Sequence, residues 1–135
     1  MEEEEEEVNK HQQHQQHAFV YRICPAEEWK DAQSASALAG GQLDLSSGFI
    51  HLSTSFQVQD TLARFFAGRE DLYLLKINTS KLGDGLRYDE VEGIGKFPHF
   101  YGSAGTFTPL PLSAVESSSK LKLENGKHVL PGSIE

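Results

Sequence analysis

The sequence predicts one α+β domain, built on a mixed or antiparallel sheet with two helices. The first observation behind this prediction is the order of the patterns: strand, helix, strand, helix and then several strands. A doubly wound parallel sheet would instead alternate strands and helices to its end. The second is the length of 135 residues, which fits a single domain, and the third is a hydrophobic content of 38%, which suffices for a packed core.

Residues 1–17 are expected to form a disordered tail, and residues 18–135 the folded domain. The tail holds six consecutive glutamates and a run of glutamine and histidine, so its charges repel one another and it offers almost nothing apolar to bury. Subtracting its six acidic residues and one basic residue from totals of 20 and 12 leaves 14 and 11, a net charge of −3 for the domain. Such a surface argues against nucleic acid as a partner, because phosphate-backbone contact needs clustered cations.

The cysteine count and the hydropathy exclude two further classes of protein. One cysteine cannot form an internal disulfide, which excludes a disulfide-stapled secreted scaffold. No apolar run approaches the about 20 residues of a membrane-spanning helix, and the acidic start is the opposite of a signal peptide. We therefore expect a soluble, cytoplasmic protein with no membrane partner, and no pattern identifies a protein partner.

A strand and a helix open the domain. Residues 18–24 are largely apolar and predict a strand, with Phe19, Tyr21 and Ile23 on one face and Arg22 on the other. Pro25 suits the first turn of a helix, and the helical pattern runs on to the glycine pair at residues 40–41, which ends it.

A second strand and a second helix follow. Residues 46–48 predict a turn, and residues 49–53 predict a short strand. Thr54 and Gln57 form a capping-box pattern for the next helix, which Gly68 ends. The predicted buried stripe of this helix consists of Val58, Leu62, Phe65 and Phe66.

The rest of the domain is predicted to be strands and loops. Residues 72–77 are strongly apolar and predict a central strand, and residues 86–91 predict another. Residues 96–102 match no regular period and are expected to form an irregular loop. Asn125-Gly126 predicts a C-terminal hairpin, since this pair is the strongest signal for a type I′ turn.

The first candidate site is the segment of residues 48–55 (GFIHLSTS). His51 is predicted in mid-strand, with Ser53 on the same face, and Thr54 is predicted to begin a helix whose free N–H groups attract anions. This combination predicts a binding site for a phosphate-bearing ligand. The alternative is a half-buried histidine bonded to a backbone carbonyl, with Ser53 and Thr54 acting only as caps.

The second candidate site is the segment of residues 97–102 (FPHFYG), in which three aromatic side chains surround His99. The rings are suited to stack on a planar base, while His99 donates a hydrogen bond or exchanges a proton. The alternative is an aromatic loop that closes the open end of the core. Both readings remain open on the residues alone.

Several other polar residues carry weaker signals. Arg22 suits a diphosphate if it is buried, although an exposed sheet face explains it equally. A carboxylate for a developing cation is available from Asp89, Glu90 or Glu92, and Cys24 is expected to serve packing rather than nucleophilic attack. None of His51, His99 and His128 pairs with a second ligand at metal spacing, and the evenly spaced histidines of the tail are read as part of a low-complexity extension, so we expect no metal.

Seven short features of the chain together resemble one family. They are residues 21–23 (YRI), Pro25, Trp29, residues 48–54 (GFIHLST), residues 64–66 (RFF), residues 71–72 (DL) and residues 97–102 (FPHFYG). The family is the domain of unknown function family 952, and the resemblance runs from about residue 21 to residue 130.

This family in turn resembles small ADP-ribosyltransferase-like folds. The resemblance implies a single domain with a bent, split α+β sheet around a cleft for NAD. It also implies that Arg22, Ser53 and Thr54 bind the cofactor. No metal is implied.

The same resemblance suggests a catalytic set of His51, His99 and Tyr101. His99 and Tyr101 stand where a transferase would have a glutamate. The leading hypothesis is a domain that binds a nucleotide of the NAD or ADP-ribose class, or a phosphorylated small molecule, with transferase or hydrolase activity. The alternatives are a phosphotransferase acting on nucleic-acid ends, and a non-enzymatic metabolite-binding or protein-interaction module.

Overall fold

The computed structural model describes residues 17–102, 107–132 and 134. The predicted disordered tail lies outside the described residues, with the exception of His17. The carbonyl of His17 accepts a hydrogen bond of 2.7 Å from the hydroxyl of Thr79, and its Nδ1 lies 3.3 Å from the hydroxyl of Tyr88. The last residue of the predicted tail is therefore attached to the domain.

Three helices lie in the described part of the chain: α1 (Ala26–Ala35), α2 (Gln42–Ser47) and α3 (Val58–Phe65). The prediction of two helices is wrong, because α2 is too short to show an apolar period; its C-terminal end occupies the predicted turn, and Gly48 ends it with a φ of 87°. The first helix is shorter than predicted and stops at Ser36, whose φ is 62°. Within the described residues, no helix has the length and apolar character needed to cross a bilayer.

Ten strands are present among the described residues, and every pair of neighbours is antiparallel. They are β1 (Phe19–Pro25), β2 (Ala37–Leu38), β3 (Ile50–His51), β4 (Leu72–Asn78), β5 (Leu86–Val91), β6 (Gly95–Phe100), β7 (Leu110–Pro111), β8 (Val115–Lys120), β9 (Lys122–Glu124) and β10 (Lys127–Val129). Short 3₁₀ turns lie at Thr79–Lys81, Gly83–Gly85 and Leu112–Ala114.

The strands form two main sheets, which we call the first sheet (order β1-β4-β8) and the second sheet (order β3-β6-β5). Two small pairs, β2 with β7 and β9 with β10, complete the fold. The main sheets meet where Tyr21 and Ser53 form an isolated bridge: the N–H of each donates to the carbonyl of the other, at 2.7 and 2.8 Å. The α+β class with antiparallel sheets is thus confirmed.

In the first sheet, β1 and β4 contribute buried side chains to both faces, whereas β8 is largely exposed. Val20 and Cys24 of β1 belong to one core cluster, and Tyr21 and Ile23 belong to a second cluster on the opposite face. The predicted alternation in the first strand is therefore confirmed. The predicted central position of the apolar strand is also confirmed, because β4 lies between β1 and β8.

Helix α3 covers the second core cluster with only part of its predicted stripe. Val58 and Leu62 are fully buried, and Phe66 packs partly against the same cluster. Phe65 is 64% exposed, so its predicted burial is wrong. It is the last residue of the helix.

The segment predicted as an irregular loop is largely a strand, which is a correction to the sequence analysis. β6 lies in the centre of the second sheet, between β3 and β5. Proline is rare in central strands because it cannot donate to the ladder. Pro98 is tolerated here because β3 has ended beside it, and its carbonyl accepts a bond of 3.1 Å from the N–H of Leu52.

The predicted C-terminal hairpin is confirmed. β9 and β10 pair on either side of Asn125 and Gly126, whose φ values of 54° and 80° are those of a type I′ turn. The strand predicted over residues 86–91 is confirmed as β5.

The burial pattern of α3 generates a prediction on stability. We expect Leu62→Ala to lower the free energy of unfolding by about 2–5 kcal/mol, since it opens a cavity in the core. Phe65→Ala is the matched control on the same helix, and we expect it to change that free energy by less than about 0.5 kcal/mol. Urea denaturation of the two variants measures both values, and equal losses would contradict the assigned burial.

Candidate functional site

A polar row crosses one face of the second sheet. In the strand register, Arg87 of β5 stands opposite His99 of β6, and His99 stands opposite His51 of β3. Side chains directly opposite one another share a face of the sheet. On the other face, Phe100 stands opposite Ile50, and both are buried in the core. The sheet therefore has an apolar face toward the core and a face that carries the row.

Four rings lie together on this face. Phe49 stacks on His99 with a centroid distance of 4.0 Å and an interplanar angle of 20°. Its ring also lies 4.7 Å from that of His51 and 4.9 Å from that of Tyr101. The two imidazole centroids are 5.4 Å apart in an edge-on arrangement. The structure thus brings together the three residues predicted to be catalytic.

Asp44 of α2 anchors the first imidazole. Its carboxylate accepts hydrogen bonds from Nδ1 of His51 at 2.8 Å, from the backbone N–H of His51 at 2.9 Å and from that of Gly41 at 2.7 Å. Burial acts to raise the pKa of Asp44, but the bond from His51 and the charge of Arg22 outweigh it, and the pKa lies well below its ordinary value. Asp44 is therefore a buried, ionised acceptor, whereas the His51 side chain is 34% exposed.

Arg22 of β1 supports this carboxylate from the other side. Its guanidinium donates to Asp44 at 3.0 and 2.8 Å, to Glu28 from Nε and one terminal nitrogen, and to the carbonyl of His51 at 3.0 Å. An arginine has five N–H groups, and these contacts engage all of them. The predicted role of Arg22 in binding a cofactor stays a prediction, and it would require some of these bonds to be broken.

Asp89 of β5 anchors the second imidazole. Its carboxylate accepts hydrogen bonds from Nδ1 of His99 at 2.7 Å and from the hydroxyl of Tyr101 at 2.5 Å. Burial acts to raise the pKa of Asp89, but the bonds from Tyr101 and His99 leave it below its ordinary value. Burial and the bond to Asp89 raise the pKa of Tyr101 to about 12, so its hydroxyl keeps its proton.

The two carboxylates fix the tautomers of the two histidines. An ionised carboxylate is only an acceptor, so Nδ1 carries the hydrogen in both His51 and His99. Burial lowers the pKa of His99, against the opposing effect of Asp89, so this ring is neutral at neutral pH. Within the described part of the chain, neither Nε2 has a hydrogen-bond partner. A neutral ring in this tautomer presents the lone pair of Nε2, which accepts a proton or a hydrogen bond.

A close backbone contact holds Tyr101 in place. Its N–H donates to the carbonyl of Gly85 at 2.8 Å, just beyond the end of β6. A Cβ atom on Gly85 would lie 2.7 Å from the carbonyl carbon of Gly102, a distance that real Cβ atoms do not adopt. Only glycine allows the two backbones to approach this closely.

Ser53 and Thr54, the other two residues predicted to bind a cofactor, follow His51 in the first candidate segment. Ser53 is buried at the bridge to Tyr21. Thr54 is buried in the turn before α3, where its N–H donates to Oε1 of Gln57 at 3.0 Å. The prediction that Thr54 begins the helix is wrong, because α3 starts at Val58. The predicted capping pattern is only half formed, with Gln57 as the acceptor.

Two residues of the site, Asp44 and Arg87, were not predicted. Nothing in the sequence marks Asp44, because it lies on a short polar helix. Arg87 lacks a signal of its own, although alternation along β5 places it on the face of Asp89. Phe49 belongs to the first candidate segment, but no role in the site was predicted for it. If residues 95–100 had been predicted as a strand, the pairing of this strand with its neighbours would have indicated that these side chains share one face of a sheet.

Neither a metal centre nor a reactive thiol is present in the described residues. They contain no group of three or more His, Cys, Asp and Glu side chains placed to hold a metal ion. Burial and the Glu28 carboxylate raise the pKa of the Cys24 thiol well above its ordinary value, so it stays protonated. His128 is bonded through Nε2 to the carbonyl of Arg69 at 2.7 Å.

Comparison with known proteins identifies the family. Residues 23–118 match the family described as protein of unknown function (DUF952). The chain belongs to this family. No curated protein matches the chain.

Solved structures of one bacterial protein are similar to this DUF952 chain. The crystal structure of protein CC0527 from Caulobacter crescentus is 34% identical in sequence, with a TM-score of 0.73 over 82% of this chain and 93% of that chain. The solution NMR structure of CC0527 is 33% identical, with a TM-score of 0.70 over 82% of this chain and 90% of that chain.

We expect Asp44→Asn to lower the free energy of unfolding at pH 7 by about 3–5 kcal/mol, because it leaves the buried Arg22 short of a counter-charge. The pKa of Asp44 is lowered by folding, so its stabilising contribution is complete above its ordinary pKa of 3.8 and declines as the pH falls below that value. The difference in the free energy of unfolding between wild type and Asp44→Asn should therefore become smaller toward pH 3. Denaturant titration at pH 7 and at pH 3 measures this difference.

The exposed residue Asp60, paired with Arg64 on α3, supplies the control. Asp60→Asn should change the free energy of unfolding by less than about 1 kcal/mol. Equal effects of the two substitutions at pH 7 would refute the role of Asp44 as a buried anchor.

The contact between Gly85 and Gly102 generates a second prediction. We expect Gly85→Ala to lower the free energy of unfolding by about 1–3 kcal/mol, because the added methyl group would overlap the facing backbone. Gly132→Ala is the control, since nothing lies within 4 Å of a Cβ there. Thermal melts compare the two variants, and an unchanged melt of Gly85→Ala would contradict the close approach.

Proposed function

We propose that the face carrying His51 and His99 binds a nucleotide of the NAD or ADP-ribose class, and that the protein transfers or hydrolyses its ribosyl group. One observation carries the proposal. Two imidazoles lie on one face, each is tied through Nδ1 to a carboxylate, and neither Nε2 has a hydrogen-bond partner among the described residues. The side chain of His51 is 34% exposed and that of His99 is 6% exposed. A neutral imidazole of fixed tautomer is suited to act as a general base near neutral pH.

The arrangement of the sheets supports an ADP-ribosyltransferase-like fold as part of this proposal. The β-structure is divided into two three-stranded antiparallel sheets, which the bridge between Tyr21 and Ser53 joins, and this division supports a split sheet. The resemblance of the family to this larger group implied a split, bent sheet around a nucleotide cleft. The face with the two histidines belongs to the second sheet, directly beside the bridge.

In the proposed reaction, His99 acts as the base. A water or acceptor hydroxyl attacks C1′ of the ribose and passes its proton to Nε2 of His99. The bond from C1′ to the leaving base breaks, and its electron pair departs with that base; nicotinamide, which is cationic in NAD, leaves as a neutral ring. His51 accepts a hydrogen bond from a ribose hydroxyl. Tyr101 acts as a positioning residue, because its hydroxyl holds Asp89.

The charges of the site fit a cation-like ribose. The carboxylate nearest to His99 belongs to Asp89 rather than to Glu90 or Glu92, the other candidates in the sequence. Fixed negative charges placed before the reaction stabilise positive charge that develops at C1′. Asp89 keeps this charge because its pKa lies below its ordinary value.

A non-enzymatic binding module is the second candidate. One observation favours it: both carboxylates beside the histidines are already bonded to them, and the described ring cluster contains no glutamate. A phosphotransferase acting on nucleic-acid ends is not proposed, because the arginines do not converge. Arg22 is buried, while Arg64 and Arg69 pair with acidic neighbours elsewhere on the surface.

Isothermal titration of the full chain with NAD, ADP-ribose and AMP tests the proposal. We expect saturable heat with at least one of the three, and release of nicotinamide from NAD if the ribosyl group is transferred or hydrolysed. Binding without any turnover would select the non-enzymatic module. Absence of heat with all three ligands would remove both the enzyme and the nucleotide-binding module.

We expect His99→Ala to lower turnover by about 100-fold to 10,000-fold, the range typical for loss of a general acid or base. We expect His51→Ala to weaken ligand binding by about tenfold, because it removes one hydrogen bond to the ribose. His51→Ala should leave the thermal melt intact, because this side chain is partly exposed. Since the pKa of His99 lies below its ordinary 6.5, the wild-type rate should hold down to about that pH and fall only in more acidic buffer. Full turnover in both variants would make the histidines structural.

A further inference from the structure

We propose that Arg87 binds the phosphate group of the ligand. This inference rests on the proposed function, and it names the residue that recognises the charged part of the same ligand. From the sequence, that role was predicted for Arg22 and for the residues near Thr54. The contacts of the described residues favour a different cation.

Arg87 occupies the end of the polar row. It stands opposite His99, and His99 stands opposite His51, so one residue from each strand contributes to the same face. Neighbouring strands lie about 4.8 Å apart, which places the backbone of Arg87 about 5 Å from that of His99 and about 10 Å from that of His51. A guanidinium at this end can hold a phosphate while the ribose lies over the imidazoles.

Arg87 is exposed and available, whereas the other arginines are engaged. Arg22 donates all five N–H groups inside the protein. Arg64 is paired with Asp60, and Arg69 with Asp71. No ion pair joins Arg87 to a carboxylate of the described residues, and its guanidinium lies over the ring of Tyr101.

That ring contact orients the guanidinium. The guanidinium carbon of Arg87 lies 5.2 Å from the centroid of the Tyr101 ring, within the range of a cation–π interaction. Tyr101 is itself fixed by its hydroxyl bond to Asp89. Because the planar fork of an arginine matches a phosphate in a bidentate manner, a guanidinium already held over a ring loses little freedom on binding.

The nearest negative charge does not cancel this cation. Asp89 lies two residues away on the same strand, but its carboxylate is bonded to Nδ1 of His99 and to the hydroxyl of Tyr101. The charge of Arg87 contributes to the lowered pKa of Asp89, but no ion pair joins these two side chains among the described residues. The exposed guanidinium of Arg87 therefore retains N–H groups for a phosphate from solvent.

A matched pair of ligands tests the inference, because AMP and adenosine differ only in the phosphate. We expect Arg87→Gln to weaken AMP binding about tenfold or more, the cost of one charged hydrogen-bond pair, and to leave adenosine binding unchanged. Arg87→Lys, which keeps the charge but not the fork, should lose less. Titration calorimetry measures the affinities of the wild type and of both variants for AMP and for adenosine. The wild-type affinity for AMP should fall more steeply with rising salt than the affinity of Arg87→Gln for AMP.

Arg69→Gln is the matched control, since Arg69 is also exposed and lies 5.8 Å from the centroid of a ring, that of Phe66. It should bind both ligands as the wild type does. If wild type binds AMP and Arg87→Gln binds it equally well, the assignment of Arg87 is overturned while the proposed function stands. If wild type binds none of NAD, ADP-ribose and AMP, the proposed function itself fails.

Discussion

One buried carboxylate holds the site together. Asp44 accepts bonds from Arg22 on the first sheet and from both the backbone and the ring of His51 on the second sheet. Neither the guanidinium nor the carboxylate could be buried alone, because an unpaired charge in the interior is strongly disfavoured. Their pairing therefore fixes β1, α2 and β3 relative to one another. The carboxylate of Asp44, which neutralises the buried Arg22, also orients the partly exposed imidazole of His51.

A second carboxylate repeats this arrangement on the neighbouring strands. Asp89 holds His99 and Tyr101, and Phe49 fills the space between the two histidines. Each imidazole is thus restrained by a hydrogen bond at Nδ1 and by a ring against its side. These restraints position Nε2 of His51 and Nε2 of His99 before a ligand binds. Such preorganisation lowers the free-energy cost of binding and of proton transfer.

Local patterns in the sequence predicted local structure well. β1, β4 and β5 follow from strand-length apolar or alternating patterns, and the hairpin follows from Asn125-Gly126, because these signals act between neighbours in the chain. β6 was missed because proline and aromatic side chains conceal its alternation, and α2 because six residues are too few to show a helical period. His51 and His99 were each singled out as polar groups in apolar surroundings. That they meet depends on the pairing of β3 with β6, and that Asp44 anchors one of them depends on the packing of α2, which no local pattern encodes.

The central claim is that carboxylates fix both histidines with hydrogen on Nδ1 and leave both Nε2 atoms open. Long-range ¹H–¹⁵N correlation spectra of the ¹⁵N-labelled protein at neutral pH test it directly, because the two ring nitrogens have different shifts when protonated and unprotonated. We expect a protonated Nδ1 in both His51 and His99, and an unprotonated Nε2 in His99. A hydrogen on Nε2 with an unprotonated Nδ1 in either ring would contradict it.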